Sequence, residues 1–370
     1  MIMQSKAYIL SVMFLYIKMK AGILPRVCAA VLLPAACTAL MVFSENCKEG
    51  VSQGIELCFK VLVPSLFPFM VVINLLIKTG VCARAGKRLT KPAQALFGIN
   101  GSFAPVLLLS LIGGYPVGAS GISELYQSGA LSEKEAKKAA MYAVCAGPGF
   151  MISFVGQSIY RNAKIGAVIL SAQILSVFVL GIVLKFTCKT EQTTPQKAIS
   201  VPSLPFSHAM VESVYAASRS MLSICGFVVT FSAVIGMIDS GISNQHIKVF
   251  LYPLLEVCNA VTKLSPDCSV ELIAFALGFG GICVHFQIFA ALDNIRIHFL
   301  PFFMLRVVQG LLTALLTHAG LKLLFDKVQV FSTHRAGNAD IFGGSILSGA
   351  MLIGVSICFL VSFKSYQSKN

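Results

Sequence analysis

Apolar runs close to 20 residues long recur along the whole chain, at 27–43, 58–77, 165–184, 221–238, 299–316 and 346–363. About 20 residues of helix are needed to cross a hydrocarbon core roughly 30 Å thick, so each run reads as a membrane span. A mean hydropathy of +0.82, with 56% hydrophobic and 12% charged residues, excludes an ordinary cytosolic enzyme, a disordered chain and a fibrous one. The fold class expected is all-α: a polytopic membrane protein with about eight to ten helical segments.

Twenty-nine Lys and Arg against 15 Asp and Glu give a net charge of +14. On a soluble protein that excess would suggest nucleic-acid binding; here the basic residues collect in short loops between apolar runs, where they mark cytoplasmic loops and meet anionic lipid. Membrane lipid is therefore an expected partner and nucleic acid is not. Lys78, Arg84, Lys87, Arg88 and Lys91 form a basic stretch without an acidic residue, which assigns 78–94 to the cytoplasm. The neighbouring stretch 44–57, with Glu45, Glu49 and Glu56 against Lys48, is expected on the opposite side. In the absence of Trp, an aromatic belt falls to residues such as Tyr8, Tyr16, Tyr126, Tyr160 and Tyr252 beside the ends of apolar runs. The 12 cysteines form no C-x-x-C, and Cys28, Cys37, Cys58, Cys225, Cys283 and Cys358 lie inside apolar stretches, as small buried hydrophobes do. The six histidines lack zinc-site spacing, so neither a metal nor a cofactor is expected.

The polar stretch 187–207, with Pro195, Pro202 and Pro205, reads as a linker between two halves at 23–186 and 208–363. Residues 1–22 are expected to be an N-terminal extension and 364–370 a tail. Each half contains an amphipathic lead-in (50–60 and 208–220), a full span, two interrupted apolar segments and another full span, an order suggesting a pseudo-repeat. The interrupted segments lie near 95–112, 139–156, 249–261 and 270–292. Irregular backbone at membrane depth is tolerated only where protein or a water-filled cavity satisfies its polar groups, so broken or re-entrant helices tend to line a path.

The sharpest break is Gly113, Gly114, Tyr115, Pro116, Val117, Gly118, Ala119, Ser120. Pro116 removes a donor and disfavours helix at Tyr115, while the glycines permit left-handed dihedrals. One helix should end here and another begin, offering free N–H groups around Gly118–Ser120 to a carboxylate or phosphate; the alternative is a packing kink. A second break contains Gly147 and Gly149, preceded by a surface helix that Ser132 and Glu135 start as a capping box, with Lys134, Lys137 and Lys138 on its outer face. In the second half, Glu256 and Asn259 interrupt one apolar segment, and Gly280 and Gly281 followed by His285 and Gln287 interrupt another. Intramembrane ionisable residues point to function by default, which singles out Glu256 and Arg306; Arg306 could equally pair with a neighbouring helix. These breaks supply the candidate binding residues: Gly113, Gly114, Tyr115, Pro116, Gly118, Ala119, Ser120, Gly147, Gly149, Glu256, Asn259, Gly280, Gly281, His285 and Gln287.

Lys48-Glu49-Gly50, Pro64-Ser65-Leu66-Phe67-Pro68-Phe69, the run 113–120, and the runs 254–261 and 278–287 come in the order seen in sporulation integral membrane proteins of the YlbJ type, which contain Gate-like nucleoside-recognition repeats. The chain resembles that family from about residue 20 to 363. It departs from it at 146–150 and 258–260, where the family carries more polar residues. The resemblance implies a multi-pass protein of the bacterial cell or forespore membrane that passes dipicolinate, a small aromatic dicarboxylate, during endospore formation. A small anionic solute is then the expected ligand, and a homo-oligomer or other sporulation membrane proteins are the protein partners left open.

A transporter is the leading reading and a membrane scaffold for sporulation partners the runner-up, with a transporter of nucleosides or other small solutes beside them. Ser-Lys, Asp-Asp and zinc arrangements are missing from the spans, so an enzyme is not expected.

Overall fold

The computed structural model describes residues 34, 37–187, 204–265 and 268–324, apart from the side chains at 82, 83, 85, 87 and 90. The expected span 346–363, most of 27–43, the N-terminal extension, the tail and most of the linker lie outside the described residues. Among the described residues there is no strand, and five helices are long and apolar enough to cross a membrane.

The first of them, α1, runs from Ser44 to Lys78. At 1.5 Å per residue its 35 residues extend about 50 Å, well beyond the hydrocarbon core. The acidic stretch Ser44–Leu57 is thus not a loop but the first half of α1, separated from the second by a π-helical turn at Cys58–Leu62. Its helicity comes from packing: α1 lies antiparallel to the 36-residue α8 (Phe206–Gly241). A Cβ at Gly50 would sit 2.3 Å from Ser232 O, and one at Gly236 2.3 Å from Asn46 O. Small residues let two helix backbones approach where lipid offers no hydrophobic drive.

Between the long helices lie short ones. These are α2 (Val81–Phe97), α3 (Phe103–Gly113), α4 (Tyr115–Gln127), α5 (Glu133–Tyr142) and the π-helical α6 (Gly149–Ile159). In the second half they are α9 (Gln245–Leu255), α10 (Val257–Leu264), α11 (Val270–Phe279) and α12 (Gly281–Ala291). The helices outnumber the eight to ten segments read from sequence because each broken segment divides in two. The expected spans 165–184 and 299–316 are α7 (Ala163–Thr187) and α13 (Phe299–Leu324), antiparallel to one another: Val168 faces Gly320 and Ser176 faces Thr313. Both linker ends are helical, since Thr187 closes α7 and Phe206 opens α8.

Ser132 and Glu135 form the expected capping box of α5, and Lys137, 2.7 Å from Glu133, holds that carboxyl below its usual range. Lys138 departs from expectation: it is only 5% exposed, because α5 turns that residue against Gly98 at the end of α2.

Candidate functional site: four helix breaks around a buried arginine

Each interrupted segment is two helices with a break between them. Gly114 separates α3 from α4 with φ 90° and ψ −175°, a conformation closed to residues with a Cβ. Pro116 fits the first turn of α4, where its missing N–H costs nothing, so α4 starts at Tyr115 and not, as expected, at Gly118. The Gly118 N–H is consequently spent on Gly114 O (3.3 Å) and is not a free anion donor. Gly118 instead lets α3 and α4 touch: a Cβ there would fall 2.2 Å from Ser110 Oγ, whose hydroxyl donates to Ala143 O. Ala119 is buried with it and Ser120 half-buried.

The second break of the first half leaves 143–147 without helix, and it meets the first directly. A Cβ on Gly147 would lie 2.7 Å from Ile112 O and 3.2 Å from Gly114 N. Gly149 points elsewhere, toward Ser65 of α1.

The second half repeats this contact between its own breaks. A Cβ on Gly281 would lie 3.0 Å from Leu255 O and 3.2 Å from Glu256 N. Glu256 is 1% exposed and caps α10, accepting from Cys258 N (3.0 Å) and Asn259 N (2.7 Å). Asn259 Nδ2 donates to the same carboxylate (2.8 Å) and to Ser232 Oγ of α8 (2.9 Å). The negative charge is matched by a helix N-terminus.

His285 and Gln287, expected at one site, sit on opposite faces of α12, since two residues turn a helix by roughly 200°. His285 is fully buried among Phe279, Phe302 and Phe303, with Nδ1 2.5 Å from Gly281 O and Nε2 without a partner among the described residues. Gln287 donates to Cys283 Sγ (3.3 Å).

The two halves are joined through Tyr115, an expected site residue, and Arg306, which the sequence singled out without placing it in the site. Arg306 of α13 is fully buried. Its Nε donates to Phe279 O (3.2 Å), Nη1 to Val144 O (2.6 Å) and Gln309 Oε1 (2.5 Å), and Nη2 to Gly278 O (2.6 Å). Its guanidinium carbon lies 5.7 Å from the centre of the Tyr115 ring, and the Tyr115 hydroxyl donates to Leu277 O. Arg306 therefore connects 143–147 with the last turn of α11, where the helix dipole favours a cation. Of the guanidinium's five donors, one Nη2–H has no partner in this set. A signal for this region was present: Arg306, Gln309, Thr313 and Thr317 recur at three- and four-residue spacing in an apolar span, placing them on one buried face. Across from them on α7, Gln173 Nε2 reaches Leu277 O (3.5 Å) and Ser176 meets Thr313 (3.1 Å). Gln173 Oε1, Gln309 Nε2 and Thr317 Oγ1 have no partner among the described residues. Buried polar atoms of this kind are sites for water or a polar solute. No three His, Cys, Asp or Glu side chains come together as a metal-binding set among the described residues.

The Gate family, described as nucleoside recognition, matches residues 59–187, from α1 through α7. The sporulation integral membrane protein YlbJ of Bacillus subtilis (strain 168) is 25% identical over 307 residues, covering 72% of this chain and 75% of that protein. The chain is a multi-pass integral membrane protein similar to YlbJ. No solved structure matches it. The Gate match takes in both breaks of the first half, including Tyr115 and Val144, while Arg306, which binds them, lies outside it.

Proposed function

We propose that the chain acts in sporulation by carrying a small organic anion, of the dicarboxylate class to which dipicolinate belongs, across the membrane. One observation carries this reading. Breaks from both halves meet at Arg306, a fully buried cation that donates to three backbone carbonyls and a side-chain amide, with no carboxylate bonded to it among the described residues. A carboxylate arriving there would replace neutral acceptors with a full opposite charge, which the planar guanidinium can bind through two parallel bonds. It would also find donors at Gln309 Nε2 and at the remaining Nη2–H.

Helix pairing supports a carrier. Apart from α2, which has no counterpart in the second half, the halves present the same order of long helix, two broken pairs and long helix, and the corresponding long helices, α1 with α8 and α7 with α13, run antiparallel. Counterparts that run antiparallel are what inverted repeats produce, and in carriers the solute site lies between such repeats at the bilayer middle. The relative is named for sporulation, and the Gate family for nucleoside recognition. A nucleoside is therefore the competing solute class.

A scaffold without transport is the second reading, favoured by the close contacts of Gly147 with Gly114 and of Gly281 with Leu255. Purified protein in liposomes separates these readings. Saturable uptake of radiolabelled pyridine-2,6-dicarboxylate, competed by unlabelled dicarboxylate and not by uridine, is expected, with Arg306→Gln slowing it about tenfold or more. A protein that restores sporulation to a deletion strain yet moves neither solute would be the scaffold.

A further inference from the structure

We propose that α2 is a docking surface for the headgroups of anionic phospholipids. The helix contains Arg84, Lys87, Arg88 and Lys91, and the chain has no acidic residue between Glu56 and Glu124. At 100° per residue, positions 84, 88 and 91 fall within about 60° of each other around the axis. Arg84, Arg88 and Lys91 are exposed there. Gly86, Ala93 and Phe97, on the opposite side of the axis, are buried, and a Cβ on Gly86 would lie 2.7 Å from Ser102 Cα. Packing against the protein thus fixes the rotation of α2 and turns its cationic stripe outward.

The position of α2 along the chain decides what that stripe meets. It follows Lys78, the last residue of the spanning α1, after a two-residue turn, and α3 opens a few residues beyond it, so the helix lies where a span leaves the hydrocarbon. Leu96, on the same helix, is 43% exposed, apolar surface suited to acyl chains at the flank of the cations. The end of the helix is basic as well, since Lys185 donates to Ala95 O and Lys138 approaches Gly98. A surface with positive charge over its polar face and apolar surface at its flank complements the negative leaflet of a bacterial membrane. The stripe is about 10 Å long, matching headgroup phosphates more closely than any extended polyanion.

Native mass spectrometry of the full-length protein in neutral detergent, titrated with phosphatidylglycerol or phosphatidylcholine, tests this. Wild type should bind phosphatidylglycerol in preference, and the preference should shrink with salt. Each basic residue near an anionic surface is worth about a fivefold change, so the triple variant Arg84→Gln, Arg88→Gln, Lys91→Gln should lose on the order of a hundredfold of it. Gln94→Ala, a neutral change on the same helix, should lose none. Should the triple variant fail to assemble, the pair Arg88→Gln and Lys91→Gln should lose about 25-fold. Equal binding of the two lipids by wild type, a full preference retained in the variants, or competition by inorganic phosphate at the concentration of the lipid would each overturn the proposal.

Discussion

Glu256 and Arg306 are both ionisable, both almost without exposed surface and both bonded to helix breaks, yet they are held in different ways. Glu256 is satisfied within three residues of itself, by the amides of Cys258 and Asn259 and the Asn259 side chain. Arg306 gathers acceptors 27, 28 and 162 residues away, on both halves of the protein. One charge finishes a helix; the other fastens the halves together. Neither forms an ion pair among the described residues, so in both the partial charge of helix ends replaces the counter-ion that a membrane interior would otherwise demand. Damage at Glu256 should therefore stay local, whereas damage at Arg306 should reach both halves.

The largest expected effect follows from that difference. Arg306→Met leaves the carbonyls of Val144, Gly278 and Phe279 without their donor in an apolar interior, a loss of about 3 kcal/mol or more. Size-exclusion profiles and thermal unfolding in detergent should show an unstable or aggregated protein. Arg306→Lys retains the charge without the planar fork and should fall between the two. If Arg306→Met gave a monodisperse protein of wild-type Tm, the fastening role would be gone.

Close packing inside the first half offers the next test. Gly118→Val would drive its side chain into Ser110 and the carbonyl of Ala143, costing about 1–3 kcal/mol. Because the first obstacle is the Ser110 side chain, Ser110→Gly should recover part of that loss in combination with Gly118→Ala. No recovery would mean that the harm comes from something other than this contact, and a solute displaced from the break would then deserve the blame.

Glu256→Ala should cost about 1 kcal/mol, the usual worth of an N-cap. Hydrogen exchange should quicken at Cys258 and Asn259 while the amides around Val144 stay protected. Since the carboxylate is already committed to three N–H donors, Glu256→Gln should leave the pH profile of solute uptake unchanged. A shifted profile would make Glu256 a coupling group and erase the contrast with Arg306.

What the sequence made legible divides along the same line. The capping box at Ser132 and Glu135, the helix stops at Gly113–Gly114 and Gly280–Gly281, and the isolation of Glu256 in an apolar run are all decided by neighbours in the chain. The bonds of Arg306 to Val144 and of Tyr115 to Leu277 each close over 162 residues, and no local pattern encodes such a partner. Lys138 was misplaced for the same reason: helix periodicity gives its angle on α5, but only the packing of α2 and α5 decides that this angle faces inward. For Ser44–Leu57 the charges gave only a side of the membrane, and its helicity depends on glycines that fit a groove on a helix some 180 residues later in the chain.

Tyr115→Phe removes a single hydroxyl and is the smallest perturbation to the contact between the halves. The ring still lies under the Arg306 guanidinium, so only the bond to Leu277 O disappears, worth about 0.5–1.5 kcal/mol. Leu277 O keeps Gln173 Nε2 as a donor at 3.5 Å, which should hold the effect near the lower end. The informative measurement is a double-mutant cycle with Arg306→Lys. Both residues grip the last turn of α11 from different elements, so their losses should be non-additive by more than about 0.5 kcal/mol. The same cycle run between Tyr115→Phe and Glu256→Gln should be additive, because Glu256 is closed within its own half. Additivity in the first cycle and coupling in the second would reverse the contrast, placing the junction of the two halves at the carboxylate and not at the guanidinium.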